Sequence, residues 1–347
     1  MIGIKYCMNN LENMKKGILL VNLGTPDSSS VRDVRRFLRE FLMDPLVVDM
    51  PLIARWLLVN CLIVPFRGPK SAAEYQRLWT EEGSPLKVHS VALSTKMTER
   101  LKDKYSLALA MRYQSPTISA GLQELRDAGC EELLIFPLFP QYAEATTLSV
   151  FNKVDEDLKT MGWSVKIKQI NNFATDTGFI NALASQADSI ETKKIDHTVF
   201  SYHGLPERQL KKINNGCLKE DCCEILNEKN HNCYRAQCFA TSRALAEKMQ
   251  LSKEQYSVCF QSRQGNIPWI QPYVDDVITD LAKQGHRKIS VFSPAFVADC
   301  LETTIEIGHT YRNMFKELSG DELYLVPGLN SSDAWCDALE SIITNDY

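Results

Sequence analysis

His197-Thr-Val-Phe-Ser-Tyr-His-Gly-Leu-Pro206 is the stretch on which the fold turns. Its β-branched and aromatic residues read as a buried strand, and Gly204 and Pro206 close it in a tight turn. His203 is thereby left at the strand's carboxyl end. Downstream, Ser293-Pro-Ala-Phe-Val-Ala-Asp-Cys-Leu-Glu-Thr-Thr-Ile-Glu306 again reads as strand, turn and helix start. Glu302 and Glu306 stand four residues apart there, on one helical face. Ligands of open α/β sheets bind outside the carboxyl ends of the strands. A base and two carboxylates brought to such an edge point to proton and metal chemistry in one cleft. Taken singly, His203 also reads as a capped loop histidine and the glutamates as a solvated helix face. The apolar flank of Phe296, Val297, Leu301 and Ile305 argues against full solvation.

Short apolar runs alternate with helical patterns along the whole chain. The expected strands are Gly17–Leu23, Leu107–Tyr113, Glu132–Leu138, Ser164–Ile170, Thr198–Tyr202, Tyr256–Gln261, Lys288–Ser293 and Leu323–Val326. Helices fit between them, among them Val31–Met43, Thr117–Ala128, Gln271–Gln284 and Leu301–Leu318. Near-continuous apolar strands separated by helices predict parallel sheets covered on both faces. The two halves also repeat. Leu23-Gly-Thr-Pro26 matches His203-Gly-Leu-Pro206 at a separation of 180 residues, and Gly129 matches Gly285 at 156. The first half therefore carries about 24 more residues between its first and second strands. The expectation is an α/β protein of two similar, doubly wound, Rossmann-type domains facing each other across a cleft. The expected division is a disordered tail over 1–16, a first domain over 17–172 and a second over 173–347. Leu23 and His203 then occupy equivalent positions on opposite walls.

With 347 residues the chain has ample core for two domains. A net charge of −4 lacks the basic footprint of a nucleic-acid binder. Met1 to Met14 has no signal-peptide pattern, which predicts a cytoplasmic protein whose eleven cysteines are thiols or metal ligands. No phosphate loop, nucleotide fingerprint or nucleophile elbow is present. The most apolar stretch, about 45–66, is interrupted by Asp49, Pro51, Arg55, Asn60 and Pro65, so it is no clean membrane span. It reads either as a core helix pair or as an exposed lip that meets a greasy ligand or a membrane surface peripherally.

Several motifs in fixed order resemble those of the ferrochelatases, enzymes that insert ferrous iron into a porphyrin. They are Val21-Asn-Leu-Gly-Thr-Pro26, Gly83-Ser-Pro85, Met111-Arg-Tyr113, Phe139-Pro-Gln-Tyr142, Ser201-Tyr-His-Gly-Leu-Pro206, Gln261-Ser-Arg263, Pro268-Trp269 and Asp299-Cys-Leu-Glu-Thr303. The resemblance covers Gly17 to about Ile343 and implies a chelatase-like fold with protoporphyrin IX and Fe²⁺ as substrates. It makes His203 the proton acceptor or metal-face ligand, Glu302 its partner and Glu306 a relay toward solvent. Arg67, Tyr75 and Ser84 match the family's propionate side, and Arg112 an arginine of the active-site pocket. Leu23 resembles the protoporphyrin-using branch, and Trp269 packs near the macrocycle or in the core. The rivals are a coproporphyrin or cobalt chelatase, or a non-catalytic tetrapyrrole or metal carrier.

Five cysteines crowd positions 217 to 238 in the pattern C-x4-C-C-x9-C-x4-C, inside an insertion over 213–238. Such density in a reducing compartment means metal more often than disulfides. Four thiolates hold either zinc or an iron–sulfur cluster. The family resemblance favours a 2Fe–2S cluster, because some ferrochelatases carry one on cysteines of an internal segment. Only four ligands are needed. Cys217, Cys222, Cys223 and Cys233 are preferred, with Cys238 as the surplus residue or a substitute for one of the adjacent pair. Cys7, Cys61, Cys130, Cys259, Cys300 and Cys336 read as buried thiols.

Overall fold

The computed structural model describes residues 15–213, 217–218 and 221–346. The expected tail lies outside the described residues up to position 14, and Lys16 already begins β1 (Lys16–Gly24). Six consecutive residues of β1 are buried because helices cover both faces of its sheet, which is why its sequence is apolar without alternation. β2 (Tyr105–Tyr113), β3 (Glu132–Pro137) and β4 (Lys166–Gln169) complete this sheet in the order β2-β1-β3-β4, all parallel. β5 (His197–His203), β6 (Tyr256–Gln261), β7 (Lys288–Phe292) and β8 (Glu322–Leu325) form a second parallel sheet in the matching order β6-β5-β7-β8.

The repeat in the sequence has a physical cause at the two strand ends. A Cβ on Gly24, which has φ +104°, would lie 1.9 Å from the Tyr113 carbonyl oxygen on β2. A Cβ on Gly204 would lie 2.8 Å from the Gln261 carbonyl oxygen on β6. In both halves the chain leaves the central strand by pressing against the neighbouring strand, and only glycine fits. Leu23 and His203 are the last side chains before these turns.

The halves share one core. A single apolar cluster joins Ile18, Leu20 and Phe136 of the first sheet to Phe200, Tyr202 and Phe292 of the second. Trp335, fully buried, stacks on Phe173 at 5.6 Å and extends that cluster. It belongs to the last helix, Asp333–Asp346, which returns to the first half and packs on the helix Pro85–Leu101. Lys96 to Asp333 at 2.9 Å and Arg100 to Asp337 tie the two helices together.

The apolar stretch is not a helix pair. It is the first part of one continuous helix, Leu52–Leu78, with a π-helical turn at Leu58–Ile63. Leu52, Ile53, Trp56 and Phe66 are 63%, 77%, 51% and 71% exposed, so this part is a lip. Cys61 lies on the same surface and is exposed, against the expectation of a buried thiol. The second part turns inward and buries Ala72, Tyr75 and Leu78 against Val34, Leu301 and Ile305.

Candidate active site

His203 ends β5 half-buried, with Nδ1 2.6 Å from the Gly204 carbonyl oxygen. A carbonyl only accepts, so Nδ1 carries the proton and Nε2 is the basic nitrogen of the neutral ring. Gln261 lies beside His203 in the β5–β6 register and is 1% exposed. Its Oε1 accepts from the Ser201 hydroxyl at 2.7 Å. Its Nε2 donates to the Glu302 carbonyl and to Glu306 Oε2, both at 2.9 Å. Glu306 also accepts from the Ser262 N–H at 2.9 Å and from the Ser262 hydroxyl. Gln261 thus ties the segment bearing both carboxylates to the strand next to His203. Burial raises the Glu306 carboxyl above the usual range, against the pull of the Ser262 and Gln261 hydrogen bonds and of His203. A carboxyl shifted in this direction exchanges protons more readily near neutral pH.

The expected α-helix at Leu301–Leu318 is corrected in its first part. Leu301–Tyr311 is π-helical, and α-helix resumes only over Arg312–Glu317. Wide turns of this kind concentrate at functional sites. Cys300 precedes the helix as a buried thiol hydrogen-bonded to Glu302, and burial raises its pKa. Asp299 anchors the turn by accepting from Thr303, Gly328 and Asn330.

The first half supplies the facing wall. Thr25, in the turn after β1, donates to the Ser84 hydroxyl at 2.8 Å and is also hydrogen-bonded to Tyr75. Tyr75 is 8% exposed and packs beside Leu301 and Ile305. Burial holds its hydroxyl well above the ordinary tyrosine value, and the Glu302 charge adds to that shift. Tyr75, packed beside Leu301 and Ile305, thus lies within electrostatic reach of Glu302. Ser84 is buried and belongs to this cluster, while Arg67 is exposed on the outer face of its helix. Leu23 is half-buried at the end of β1. Trp269 is buried, packs on the Gly204 turn and donates from Nε1 to the Gln264 carbonyl at 2.9 Å.

Arg112 lies at another contact. Its guanidinium donates to Asp44 Oδ2 at 2.7 Å and to the Ser149 hydroxyl at 2.7 Å. With Pro45, Leu46 and Lys153 these residues line a hollow of about 180 Å³. A second hollow of about 370 Å³, lined by Thr80, Glu81, Glu82, Pro85, Val88 and His89, opens next to Ser84 in the chain. Neither is lined by His203, Glu302 or Glu306. Gln261 and Thr25 were not singled out from the sequence. Both stood inside quoted motifs, but their partners lie 41 to 59 positions away.

Four of the five clustered cysteines come together. Cys222 Sγ is 3.5 Å from Cys223 Sγ, and Cys223 and Cys217 are each hydrogen-bonded to Cys233. The bond with Cys223 lowers the Cys233 thiol below its ordinary value and raises Cys223. Arg235 Nη1 donates to Cys223 Sγ at 3.3 Å. Cys238 is fully buried and hydrogen-bonded to Tyr234, with Cys223 within electrostatic reach. Two sulfurs on one tetrahedral metal with bonds of about 2.3 Å stand roughly 3.8 Å apart. The Cys222–Cys223 spacing and the chain of thiol contacts fit such a donor set. Among the described residues, however, no group of three or more His, Cys, Asp or Glu is placed to hold a metal ion as the side chains stand.

Two parallel sheets of matching order, a histidine and two carboxylates at one strand edge, and a wall closed from the other half define a two-lobed α/β enzyme of the chelatase class. In fold the chain is similar to SirB from Bacillus subtilis with Fe³⁺, with TM-score 0.53 at 12% identity over 96% of each chain. It is similarly close to the sirohydrochlorin chelatase SirB from Bacillus subtilis subspecies spizizenii in complex with cobalt, with TM-score 0.53 at 11% identity over 96% of this chain and 95% of that one. The ferrochelatase family model matches residues 15–347, and the chain belongs to that family. The ferrochelatase of Legionella pneumophila (strain Lens) is 45% identical over 96% of this chain and 100% of its own length. That of Bdellovibrio bacteriovorus is 42% identical over 95% and 98% respectively.

Proposed function

We propose that the chain inserts Fe²⁺ into protoporphyrin IX to form protohaem. A free-base porphyrin must lose two N–H protons as the metal enters, and a flat ring hides its nitrogen lone pairs. The site must therefore accept protons beside a macrocycle held off planarity. His203 takes a pyrrole proton on Nε2, the nitrogen left basic by the Gly204 contact. Glu302 is its partner, and Glu306, raised by burial and linked through Gln261, relays the proton outward. Leu23 and Trp269 wall the ring apolarly, and Arg67 offers its exposed guanidinium to a propionate. Tyr75 and Ser84 lie on the propionate side, where their bonds to Thr25 fix the wall. Arg112, engaged by Asp44, shapes the pocket's flank. The domain boundary in this reading falls near 172/173.

The observation that carries the proposal is Gln261, held beside His203 and hydrogen-bonded to both glutamate positions. The test is metal insertion with protoporphyrin IX and Fe²⁺. His203→Ala is expected to lower kcat by about 10²–10⁴, the range of a lost general base. Near-normal turnover overturns the assignment, and strong preference for coproporphyrin or cobalt overturns the choice of substrate.

We further propose that Cys217, Cys222, Cys223 and Cys233 hold a 2Fe–2S cluster, with Cys238 as a core thiol. Such a cluster would cross-link the segment and make it sensitive to iron and oxidants. Broad visible bands that bleach with dithionite are expected. Colourless protein with stoichiometric zinc overturns the cluster.

We further propose that the protein is cytoplasmic and rests Leu52, Ile53, Trp56 and Phe66 on the membrane surface. The helix Leu52–Leu78 is long and apolar enough to span by length alone. Its second half, however, is packed against Val34, Leu301 and Ile305, so only the lip is free to meet lipid.

A further inference from the structure

We propose that Tyr234 is a positioning residue for His203, and that through it the cysteine segment controls the reaction. This rests on the reading of His203 as proton acceptor and of the four thiols as a cluster site. The hydroxyl of Tyr234 donates to the His203 backbone carbonyl at 2.9 Å. β7 pairs with β5 only as far as Phe200 opposite Phe292, so that carbonyl lies beyond the end of the ladder. Tyr234 is 6% exposed and held on its other side by Cys238. A half-buried carbonyl beyond the ladder is held in place by such a donor.

Tyr234 is also the residue directly after Cys233, which caps the helix Tyr234–Lys248. A shift of Cys233 moves the first turn of that helix, and with it the hydroxyl under His203. A second strut runs alongside. Arg235 bridges Cys223 Sγ to the Gln271 carbonyl, two residues beyond the Trp269 that packs on Gly204. The first strut ends on the His203–Gly204 turn, which also sets the ring through the Nδ1 contact, and the second on the segment whose Trp269 packs against that turn. The cysteine segment need not touch substrate to matter.

The test is Tyr234→Phe in the full-length holoprotein, with kcat and KM measured for protoporphyrin and Fe²⁺ and the imidazoles followed by NMR. The chain has six histidines, so the His203 resonance can be assigned by its loss in His203→Ala. The expected result is a kcat about 3–10-fold lower, the size of one neutral hydrogen bond, with KM within about twofold. The His203 resonance should move, while the visible bands and the unfolding midpoint stay close to wild type. Cys233→Ser should lower kcat in the wild-type background and add less than about twofold in Tyr234→Phe, since coupled residues are non-additive. Unchanged kcat and an unmoved resonance in Tyr234→Phe overturn the positioning role, and full additivity overturns the coupling. If Tyr234→Phe does not fold, chelating the metal from wild-type protein must move the His203 resonance, and a fixed resonance overturns the proposal. Should His203→Ala itself retain turnover, the earlier reading of the site fails instead. Protein without metal overturns the cluster's part in the coupling and leaves the Tyr234 positioning role to the Tyr234→Phe result.

Discussion

Gln261→Glu isolates the tie between His203 and the carboxylates with almost no change in shape. The amide makes three buried hydrogen bonds, accepting from Ser201 and donating to the Glu302 carbonyl and to Glu306 Oε2. The substitution keeps the acceptor and replaces the donor with a carboxylate oxygen about 2.9 Å from Glu306. Two charges at that distance repel by roughly 5 kcal/mol at an effective dielectric of about 20. That exceeds the cost of holding a proton several pH units above an ordinary pKa, at about 1.4 kcal/mol per unit. The pair therefore keeps one proton at neutral pH, adding to the upward shift that burial already gives Glu306.

The sign follows. A group whose folded pKa is raised contributes fully below its unfolded value, near 4.3 for glutamate, and its contribution is lost as pH rises toward the folded pKa. The stability deficit of Gln261→Glu should be about 1–2 kcal/mol at pH 4.5, where the acid form still donates one hydrogen bond. It should widen by up to about 4 kcal/mol by pH 7.5. Urea unfolding at the two pH values measures this directly. Turnover should fall about 10–100-fold because Glu306 no longer accepts freely, a smaller loss than for His203→Ala. A deficit that is equal at both pH values, or wild-type stability with kcat within twofold at pH 7.5, refutes the reasoning.

Asp44→Asn removes the acceptor shared by Arg112, Tyr113 and Ser149, leaves a buried guanidinium uncompensated and should destabilise by about 3–5 kcal/mol in denaturant unfolding. His197 is 6% exposed, and burial and the neighbouring His286 lower its pKa to about 4. A depressed histidine contributes its stability above the unfolded value near 6.5 and loses it as pH falls toward 4. His197→Gln should therefore flatten the acid limb by about 2–3 kcal/mol between pH 7 and pH 4, read from Tm against pH. Trp56→Asp should weaken sedimentation with anionic vesicles at least about tenfold, the scale of one buried aromatic. Its kcat with detergent-dispersed porphyrin should remain at the wild-type value.

The central strands were legible because a parallel sheet covered on both faces leaves an uninterrupted apolar run, whereas the edge strand β4, Lys166–Gln169, carries no such run and was placed by its position between helical patterns. The repeat was legible too, since a close approach to a neighbouring carbonyl admits only glycine at 24 and 204. His203 and the two glutamates could be placed at one edge because strand ends can be read locally. What escaped were side chains whose role depends on a partner far along the chain. Gln261 and Thr25 are ordinary polar residues until strand register and a folded helix bring Glu306 and Ser84 to them. The apolar stretch was ambiguous for a related reason. Its composition is the same for a core helix and for a lip, and only the packing of the Ala72–Leu78 end leaves the Leu52–Phe66 end uncovered.

The same dependence on distant partners explains why the site is built from both halves. Residues at the end of one strand can place a base, but a carboxylate opposite it needs a second support if the base is not to swing. Here Glu302 is tethered from its own half by the Gln261 bond to its carbonyl, and from the other half Tyr75, hydrogen-bonded to Thr25 in the turn after β1, lies within its electrostatic reach. Each central strand thus contributes its turn to one constellation: β5 brings His203, and β1 leads into Thr25, which is hydrogen-bonded to Tyr75 and Ser84. Tyr75→Phe should leave unfolding within about 1 kcal/mol of wild type yet alter the pH profile of kcat, because a hydroxyl within electrostatic reach of Glu302 is gone. An unchanged profile would mean that the first half merely covers the site and takes no part in setting it.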